Sequence, residues 1–280
     1  MIVAGHPGKG YIAPVIAGYA AQSDTGVPYV MLGEGTPSLL VIPGIEPEHH
    51  LPDGLRLQGV RGAFEEIAER RPLAVAWRAD RPAGEISIDS IAADYVDLAR
   101  QLELTDLAIL GVSTGSPMAI ETAARLGPRC NRLLLVSGGA SLSTRGRSLL
   151  ERWVALAEAG LWRTLAREQI AAFYPGLFGA CVLAPIAWLF PDLYGRPEDP
   201  AFFLALTRAV AAADLRTRCK DVDAPALLMN GERDLLYPPE IARETALLLT
   251  DADSVTLERA GHGAFKSHSG RIARLILANL

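Results

Sequence analysis

The sequence predicts an α/β domain in which helices flank a mostly parallel sheet. Three observations support this class. Short apolar runs rich in β-branched residues alternate with segments of helical periodicity. Half of the 280 residues are apolar and 21% are charged, so the chain can bury a large core. The length is ordinary for one such domain that carries an insertion.

Seven short apolar runs are predicted strands. Leu107–Leu110 is apolar throughout, as expected of a strand at the centre of a sheet, where both faces are buried. The turn-forming stretch 33–37 separates the first two strands. In chain order, the predicted strands are Val27–Leu32, Ser38–Ile42, Leu73–Trp77, Leu107–Leu110, Leu133–Val136, Ala226–Met229 and Ser254–Leu257.

Four helices are predicted around these strands. Apolar residues recur at helical spacing from Ile88 to Leu102, and Ser87 is a suitable N-cap. A second helix begins near Ser116 and ends at Gly127-Pro128, a strong C-terminal signal. Two further helices, around Glu240–Leu249 and Arg271–Leu280, close the fold.

One segment interrupts the alternation between strands and helices. Residues 140–220 are predicted to be wholly helical and are unusually aromatic. Their aromatic residues include Trp153, Trp162, Trp188, Phe173, Phe178, Phe190, Phe202 and Phe203. No repeat or linker divides the chain, so we expect a core domain of residues 1–139 and 221–280 that carries a helical insertion at 140–220.

Charge and hydropathy exclude two classes of partner. The net charge is −5 at pH 7 and the basic residues are spread along the chain, whereas nucleic-acid binding needs concentrated positive charge. No apolar run reaches the roughly 18 residues that a membrane-spanning helix needs. We therefore expect neither nucleic-acid binding nor a membrane span, and a homodimer is left open.

The cysteines and the apolar stretch near the start of the sequence indicate where in the cell we expect the protein. Cys130, Cys181 and Cys219 lie far apart and form neither a disulfide framework nor a metal-binding pair, so we expect buried free thiols in a reducing compartment. The stretch Tyr11–Ala21 loosely resembles the apolar part of a signal peptide, but a proline and a glycine interrupt it. We expect a cytoplasmic protein, with secretion as the alternative.

The segment Gly111-Val112-Ser113-Thr114-Gly115 matches the pattern G-x-S-x-G between a buried strand and a helix. A nucleophile elbow requires this context, because the tight turn lifts the serine hydroxyl towards a helix N-terminus, where negative charge is favoured. The glycines fit because the turn leaves no room for flanking side chains. Ser113 is the candidate nucleophile, and a plain strand–loop–helix connection is the alternative.

A serine hydroxyl needs a base and an orienting acid to become a good nucleophile. Asp234 follows the strand Ala226–Met229, and His262 follows the last predicted strand. With Ser113, both fall on turns at the carboxyl ends of strands, the edge where open α/β sheets build their sites. The chain order Ser, Asp, His is the order expected after such an elbow.

With three motifs in register, the sequence resembles the α/β-hydrolase superfamily over roughly residues 25–280. Gly231-Glu232-Arg233-Asp234 looks like the family's acid turn, and Gly261-His262 looks like its histidine turn. The resemblance implies the α/β-hydrolase fold, with a mostly parallel eight-stranded sheet and a helical cap after the sixth strand, where residues 140–220 stand. It also implies a serine hydrolase in which Ser113 attacks, His262 is the base and Asp234 orients it.

Other residues compete for these roles. Asp234 also suits a turn-forming or helix-capping carboxylate, and Glu232 is its nearest rival as the acid. The other histidines are His6, His49, His50 and His268. The adjacent histidine pair has no further ligands at metal-binding spacing, and the loop around His6 lacks the spacing of a phosphate loop. We predict no metal and no cofactor.

Two backbone N–H groups are candidates for an oxyanion hole. Thr114, which follows the nucleophile, should supply one, and Ile45, after the second predicted strand, should supply the other. Relatives commonly have His-Gly at the second turn, whereas this chain has Pro43-Gly44. The Glu46 carboxylate would repel an oxyanion, so we expect it to face solvent.

The aromatic insertion carries the information about the substrate. Its side chains would line an apolar pocket over Ser113, or they would only pack the insertion onto the core. We predict cleavage of a small to medium, largely apolar carboxylic ester through an acyl-enzyme on Ser113. A carbon–carbon bond hydrolase, a thioesterase or an acyltransferase on the same triad are alternatives, as is a ligand-binding protein without turnover.

Overall fold

A computed structural model describes residues 15–19, 26–46, 50–52, 54–189 and 196–280. Its strands are β1 (Val15–Tyr19), β2 (Pro28–Leu32), β3 (Leu39–Ile42), β4 (Leu73–Ala76), β5 (Leu107–Val112), β6 (Cys130–Val136), β7 (Ala226–Gly231) and β8 (Ala252–Leu257). They form one eight-stranded sheet in the order β1-β2-β4-β3-β5-β6-β7-β8. The pairs β1–β2 and β2–β4 are antiparallel, and all other neighbours are parallel.

The predicted fold class is confirmed, and each of the seven predicted strands is present within a few residues of its expected bounds. The sequence patterns did not predict β1, which lies within Tyr11–Ala21 and pairs with β2 from Val15 opposite Leu32 to Tyr19 opposite Pro28. Gly18 stands inside this strand, and glycine is depleted in strands because it offers no side chain to pack.

The helices are α1 (Gly54–Ala68), α2 (Ile88–Gln101), α3 (Ser116–Leu126), α4 (Thr144–Glu158), α5 (Trp162–Phe173), α6 (Ala184–Leu189), α7 (Pro200–Ala212), α8 (Pro239–Leu248), α9 (Ala264–Ser267) and α10 (Ser269–Leu277). A π-helical turn, Gly179–Leu183, leads into α6. Ser87 caps α2 as predicted: its hydroxyl accepts the N–H of Ser90 at 3.0 Å. The sequence did not predict α1.

The central strands separate two apolar layers. Leu40 and Ile42 of β3 pack in the layer that contains α2, α3 and much of the insertion, whereas Leu39 and Val41 pack in the layer that contains α1 and α10. All four side chains are fully buried, because successive residues of a strand point to opposite faces. Helices therefore cover both faces of the parallel strands, and the carboxyl ends of those strands stay available for a site.

The helices α4–α7 stand between β6 and β7, so the helical insertion follows the sixth strand as predicted. An isolated antiparallel bridge between Ser141 and Asp214 joins the two ends of this insertion. Phe190, one of the predicted aromatic residues, lies outside the described residues. The division into a core of 1–139 and 221–280 and a cap of 140–220 stays a prediction.

The cysteine prediction needs one correction. Cys130 and Cys219 are buried as expected, and burial raises the pKa of each thiol to about 12. Cys181 is exposed, because in the segment 176–189 the small residues Gly179, Ala184 and Ala187 face inwards and the larger side chains face outwards. Within the described ranges, no helix is long and apolar enough to cross a membrane.

Candidate active site

Ser113 occupies the sharp turn between the carboxyl end of β5 and the start of α3. Its φ is +56°, a left-handed conformation that costs a non-glycine residue about 1–2 kcal/mol. The turn is tight on both sides: a Cβ on Gly115 would lie 2.3 Å from the Ile42 carbonyl oxygen, and one on Gly111 would lie 2.7 Å from the Ala119 Cβ. Glycine at both positions therefore lets the serine turn sit directly against β3 and α3.

A continuous hydrogen-bonded chain joins Ser113, His262 and Asp234. The Ser113 Oγ lies 2.6 Å from the His262 Nε2. The His262 Nδ1 lies 2.9 Å from the Asp234 Oδ2 and 3.0 Å from its Oδ1. A carboxylate can only accept, so the Nδ1 carries the hydrogen and the Nε2 lone pair faces the serine hydroxyl. This tautomer is the one that can take the Ser113 proton.

The Asp234 carboxylate is held by the turn that follows β7. Its Oδ1 accepts the backbone N–H groups of Leu236 at 2.9 Å and Tyr237 at 3.0 Å. The buried Asn230 side chain donates to the carbonyl oxygens of Gly138 (2.9 Å) and Tyr237 (2.8 Å), which ties this turn to the end of β6. Asp234 is only 3% exposed, so its position is fixed by these bonds and not by solvent.

Two aromatic rings enclose His262. The ring centres of Phe173 and Tyr237 lie 5.0 Å and 6.1 Å from that of the imidazole. The N–H of Gly263 donates to the Phe173 carbonyl oxygen at 2.9 Å, so the insertion is attached to the histidine loop itself. Burial, followed by the charge of Asp234, raises the pKa of Tyr237, whose hydroxyl therefore stays neutral. These rings keep bulk water away from the imidazole.

The turn after β3 is tied down by three side chains. The guanidinium of Arg78, only 2% exposed, donates to the carbonyl oxygens of Gly44 (2.8 Å) and Pro43. The Trp77 indole donates to the Glu46 carboxylate at 2.9 Å, and Glu46 is exposed as expected. The N–H of Ile45, the predicted oxyanion donor, donates to the Thr114 Oγ1 at 2.7 Å.

Sequence reasoning missed Arg78. The available signal was an arginine directly after a predicted strand, at the sheet edge that carries the other candidate residues. Its partners could not be read from the sequence, because a buried guanidinium is usually matched with a carboxylate and here it meets backbone carbonyls.

The space over Ser113 is small. A cavity of about 20 Å³, room for about one water molecule, lies between the nucleophile turn and the insertion. Its lining residues are Ile45, Ser113, Thr114, Leu150, Trp153, Gln169, Phe173, Phe203, Thr207 and Leu236. Three of the predicted aromatics line this cavity, whereas Phe178 and Trp188 are exposed on the insertion's outer surface. Pockets for drug-sized ligands hold about 300–1,000 Å³, so this cavity is far smaller than a site that holds a whole substrate.

The rival residues lie elsewhere. Glu232 is exposed and accepts the N–H of Arg259 at 2.8 Å. His50 lies 3.7 Å from Asp80, and His268 is half-buried beside Ser267. His6 and His49 fall outside the described residues. Among the residues that the structure describes, no three His, Cys, Asp or Glu side chains are grouped as metal ligands.

The sheet order and the serine turn between β5 and α3 define the class of α/β-hydrolase proteins. Comparison with known families agrees: the profile of the alpha/beta hydrolase family matches residues 39–275. The chain belongs to this family.

Several relatives are similar to the chain. A pimeloyl-[acyl-carrier protein] methyl ester esterase of Neisseria meningitidis is 28% identical over 232 residues, which cover 77% of this chain and 71% of the relative. The pimeloyl-[acyl-carrier protein] methyl ester esterase of Methylococcus capsulatus is 31% identical, and the match covers 60% of this chain and 67% of that enzyme. The crystal structure of the enol-lactonase from Burkholderia xenovorans is 18% identical and covers 93% of this chain and 98% of that chain, with a TM-score of 0.76.

Proposed function

We propose that this protein hydrolyses a small to medium, largely apolar carboxylic ester through an acyl-enzyme on Ser113. Membership of the family and the esterase relatives make the chain an ester-acting hydrolase. The observation that carries the finer proposal is the buried chain of hydrogen bonds from Ser113 through His262 to Asp234.

The proposed reaction has two steps. His262 takes the proton of Ser113 at Nε2 while the Oγ attacks the ester carbonyl carbon and the carbonyl electron pair moves to the oxygen. Asp234 stabilises the imidazolium, which then protonates the leaving alkoxide as the acyl-enzyme forms. Water attacks the carbonyl carbon of that acyl-enzyme while His262 takes its proton; the bond to the Ser113 Oγ then breaks, His262 returns the proton to Ser113, and the carboxylic acid is released.

The lining of the cavity supports an uncharged substrate. No Asp, Glu, Lys or Arg side chain contributes to it, and its apolar lining includes Leu150, Trp153, Phe173 and Phe203. An anionic acid or a cationic amine would lose its hydration there without gaining a counter-charge, which costs several kcal/mol. A neutral ester with hydrophobic substituents avoids this cost.

Gln169 is the one carboxamide in this lining, and among the described residues it has no hydrogen-bond partner. The hydroxyl of Thr207, another polar lining group, already donates to the Phe203 carbonyl oxygen at 2.7 Å. We therefore assign Gln169 to a neutral hydrogen-bonding group of the substrate. Replacing Gln169 by Leu should reduce kcat/KM for a p-nitrophenyl 3-hydroxyalkanoate more than for the matching alkanoate, and an equal loss would contradict the assignment.

A fluorophosphonate probe and a series of p-nitrophenyl esters of increasing chain length test the proposed function together. We expect stoichiometric labelling of the wild-type protein and measurable ester hydrolysis, both lost in Ser113→Ala. Ser254→Ala removes an exposed hydroxyl of β8 and should change neither result. Folded wild-type protein that neither labels nor turns over any ester would overturn the proposal and favour a ligand-binding role.

A further inference from the structure

The two residues predicted to form the oxyanion hole are bonded to each other. The Ile45 N–H donates to the Thr114 Oγ1 at 2.7 Å, so this backbone donor is already hydrogen-bonded within the protein. Thr114 is only 4% exposed, and both residues line the small cavity beside Ser113. The side chain of Thr114, and not only its backbone, therefore belongs to the edge of the site.

The Thr114 hydroxyl still has its own hydrogen to donate. A threonine hydroxyl offers one donor and two acceptor positions, and the bond from Ile45 uses only an acceptor position. Within the described part of the chain, no group accepts a hydrogen bond from Thr114. A buried hydroxyl whose hydrogen has no acceptor costs free energy unless a ligand or water supplies one.

Gly44 lets the turn after β3 approach the nucleophile and this hydroxyl closely. A Cβ at position 44 would lie 3.2 Å from the Thr114 Oγ1, 3.2 Å from the Ser113 Oγ and 3.0 Å from the Ser113 Cβ. The two side-chain oxygens therefore approach the same side of Gly44, and both residues line the small cavity. The carbonyl oxygen of an ester under attack by Ser113 enters this cavity, where it needs donors about 3 Å away.

We infer that the Thr114 side-chain hydroxyl is a catalytic hydrogen-bond donor to the substrate's carbonyl oxygen. This role rests on the proposed acyl transfer at Ser113. As the Ser113 Oγ bonds to the carbonyl carbon, its proton passes to His262 and the carbonyl electron pair passes to the oxygen. Thr114 donates a hydrogen bond to that oxygen without giving up its proton. The N–H of Ile45 polarises the hydroxyl from behind, and a chain of this kind strengthens each of its bonds.

The same contact permits an opposite role, in which the hydroxyl blocks the Ile45 N–H and must rotate away before the reaction. Thr114→Val keeps the shape of the side chain but removes its hydroxyl, so it distinguishes the donor role from the blocking role. Loss of a donor costs about 10²–10³ in rate, so a donor role predicts a kcat lower by about 10² with KM little changed. A blocking role predicts an unchanged or higher kcat, because the Ile45 N–H is released.

The experiment measures kcat and KM for one p-nitrophenyl ester, together with the affinity for a trifluoromethyl ketone that adds to Ser113. In Thr114→Val, we expect the affinity for the ketone to fall by the same factor as kcat/KM, and Thr114→Ser should recover most of both. Thr122→Val is the matched control: its buried hydroxyl in α3 donates to the Met118 carbonyl oxygen at 2.7 Å, away from Ser113, so kcat should not change. Thr114→Ala serves in the same measurements if the valine variant does not fold.

Each outcome decides the inference. A kcat lost in Thr114→Val and recovered in Thr114→Ser supports the donor role. A kcat retained in Thr114→Val, or lost equally in Thr114→Ser, overturns the donor role. If the wild type is active and labelled in the same experiment, the proposed function still stands. A wild type that neither labels nor hydrolyses overturns both.

Discussion

Replacing Gly44 by Ala tests the space beside the nucleophile directly. The added methyl carbon would lie 3.0 Å from the Ser113 Cβ and 3.2 Å from both the Ser113 Oγ and the Thr114 Oγ1. Carbon atoms in contact ordinarily stand about 3.5–4.0 Å apart, so the turn or Ser113 must give by about half an ångström. The methyl group would also crowd the edge of the cavity at which we expect the carbonyl oxygen to meet the Thr114 hydroxyl.

The expected effect is large on rate and modest on stability. Exclusion of the oxygen from its donors is equivalent to the loss of an oxyanion-hole contact, about 10²–10³ in kcat. Overpacking by one methyl group costs about 1–3 kcal/mol of unfolding free energy, which a domain stable by about 5–15 kcal/mol survives. Gly44→Ala should therefore remain folded and lose at least 99% of its activity.

The assay compares kcat for a p-nitrophenyl ester, the rate of fluorophosphonate labelling and the melting temperature. Gly62→Ala is the matched control, because a Cβ at that position in α1 meets nothing within 4 Å. It should leave kcat unchanged and raise stability by up to about 1 kcal/mol, since alanine is the better helix former. A folded Gly44→Ala variant with wild-type kcat would refute the reasoning that the reaction needs the close approach of Gly44 to Ser113 and Thr114.

Three further predictions concern other groups. Arg78→Met should lower kcat at least tenfold, because the carbonyl oxygens of Pro43 and Gly44 in the turn after β3 lose their shared donor. Arg78→Lys should restore only part of kcat, since an ammonium cannot match the forked guanidinium. An unchanged kcat in the methionine variant would contradict this prediction. In the folded protein, a thiol reagent should modify Cys181 alone, with Cys130 and Cys219 reacting only in denaturant, as mass spectrometry would show. Burial alone would raise the pKa of Glu121, but Arg218 and Arg125 hold it below its ordinary value of 4.5, so this carboxylate stabilises the fold above that pH. Glu121→Gln should lower the free energy of unfolding by about 1–3 kcal/mol at pH 7. In denaturant titrations, the difference in unfolding free energy between this variant and the wild type should shrink as the pH falls below 4.5. A difference that stays constant with pH would contradict this prediction.

Local pattern was sufficient for the sheet and for the three residues of the hydrogen-bonded chain. Buried parallel strands appear in the sequence as continuous apolar runs, and Ser113, Asp234 and His262 each stand just after such a run. Because parallel strands end at one edge, the order of the motifs was enough to expect these side chains together. The structure then supplied the distances.

Contacts between distant segments could not be predicted in the same way. The bond between Ile45 and Thr114 joins residues 69 positions apart, and it depends on how closely two turns approach. The strand β1 depends on its pairing with β2 and not on its own propensity. Arg78 became part of the site only when its carbonyl partners were known.

The narrow cavity beneath α4, α5 and α7 predicts that turnover is gated. With room for about one water molecule, the cavity is too small for an ester in this position of the insertion, so we expect the insertion to move when substrate enters and product leaves. Each catalytic cycle then includes one opening and one closing, and motions of this size take microseconds to milliseconds. If opening is slower than bond cleavage, esters with very different leaving groups will share one kcat, and added viscogen will lower it in proportion to solvent viscosity.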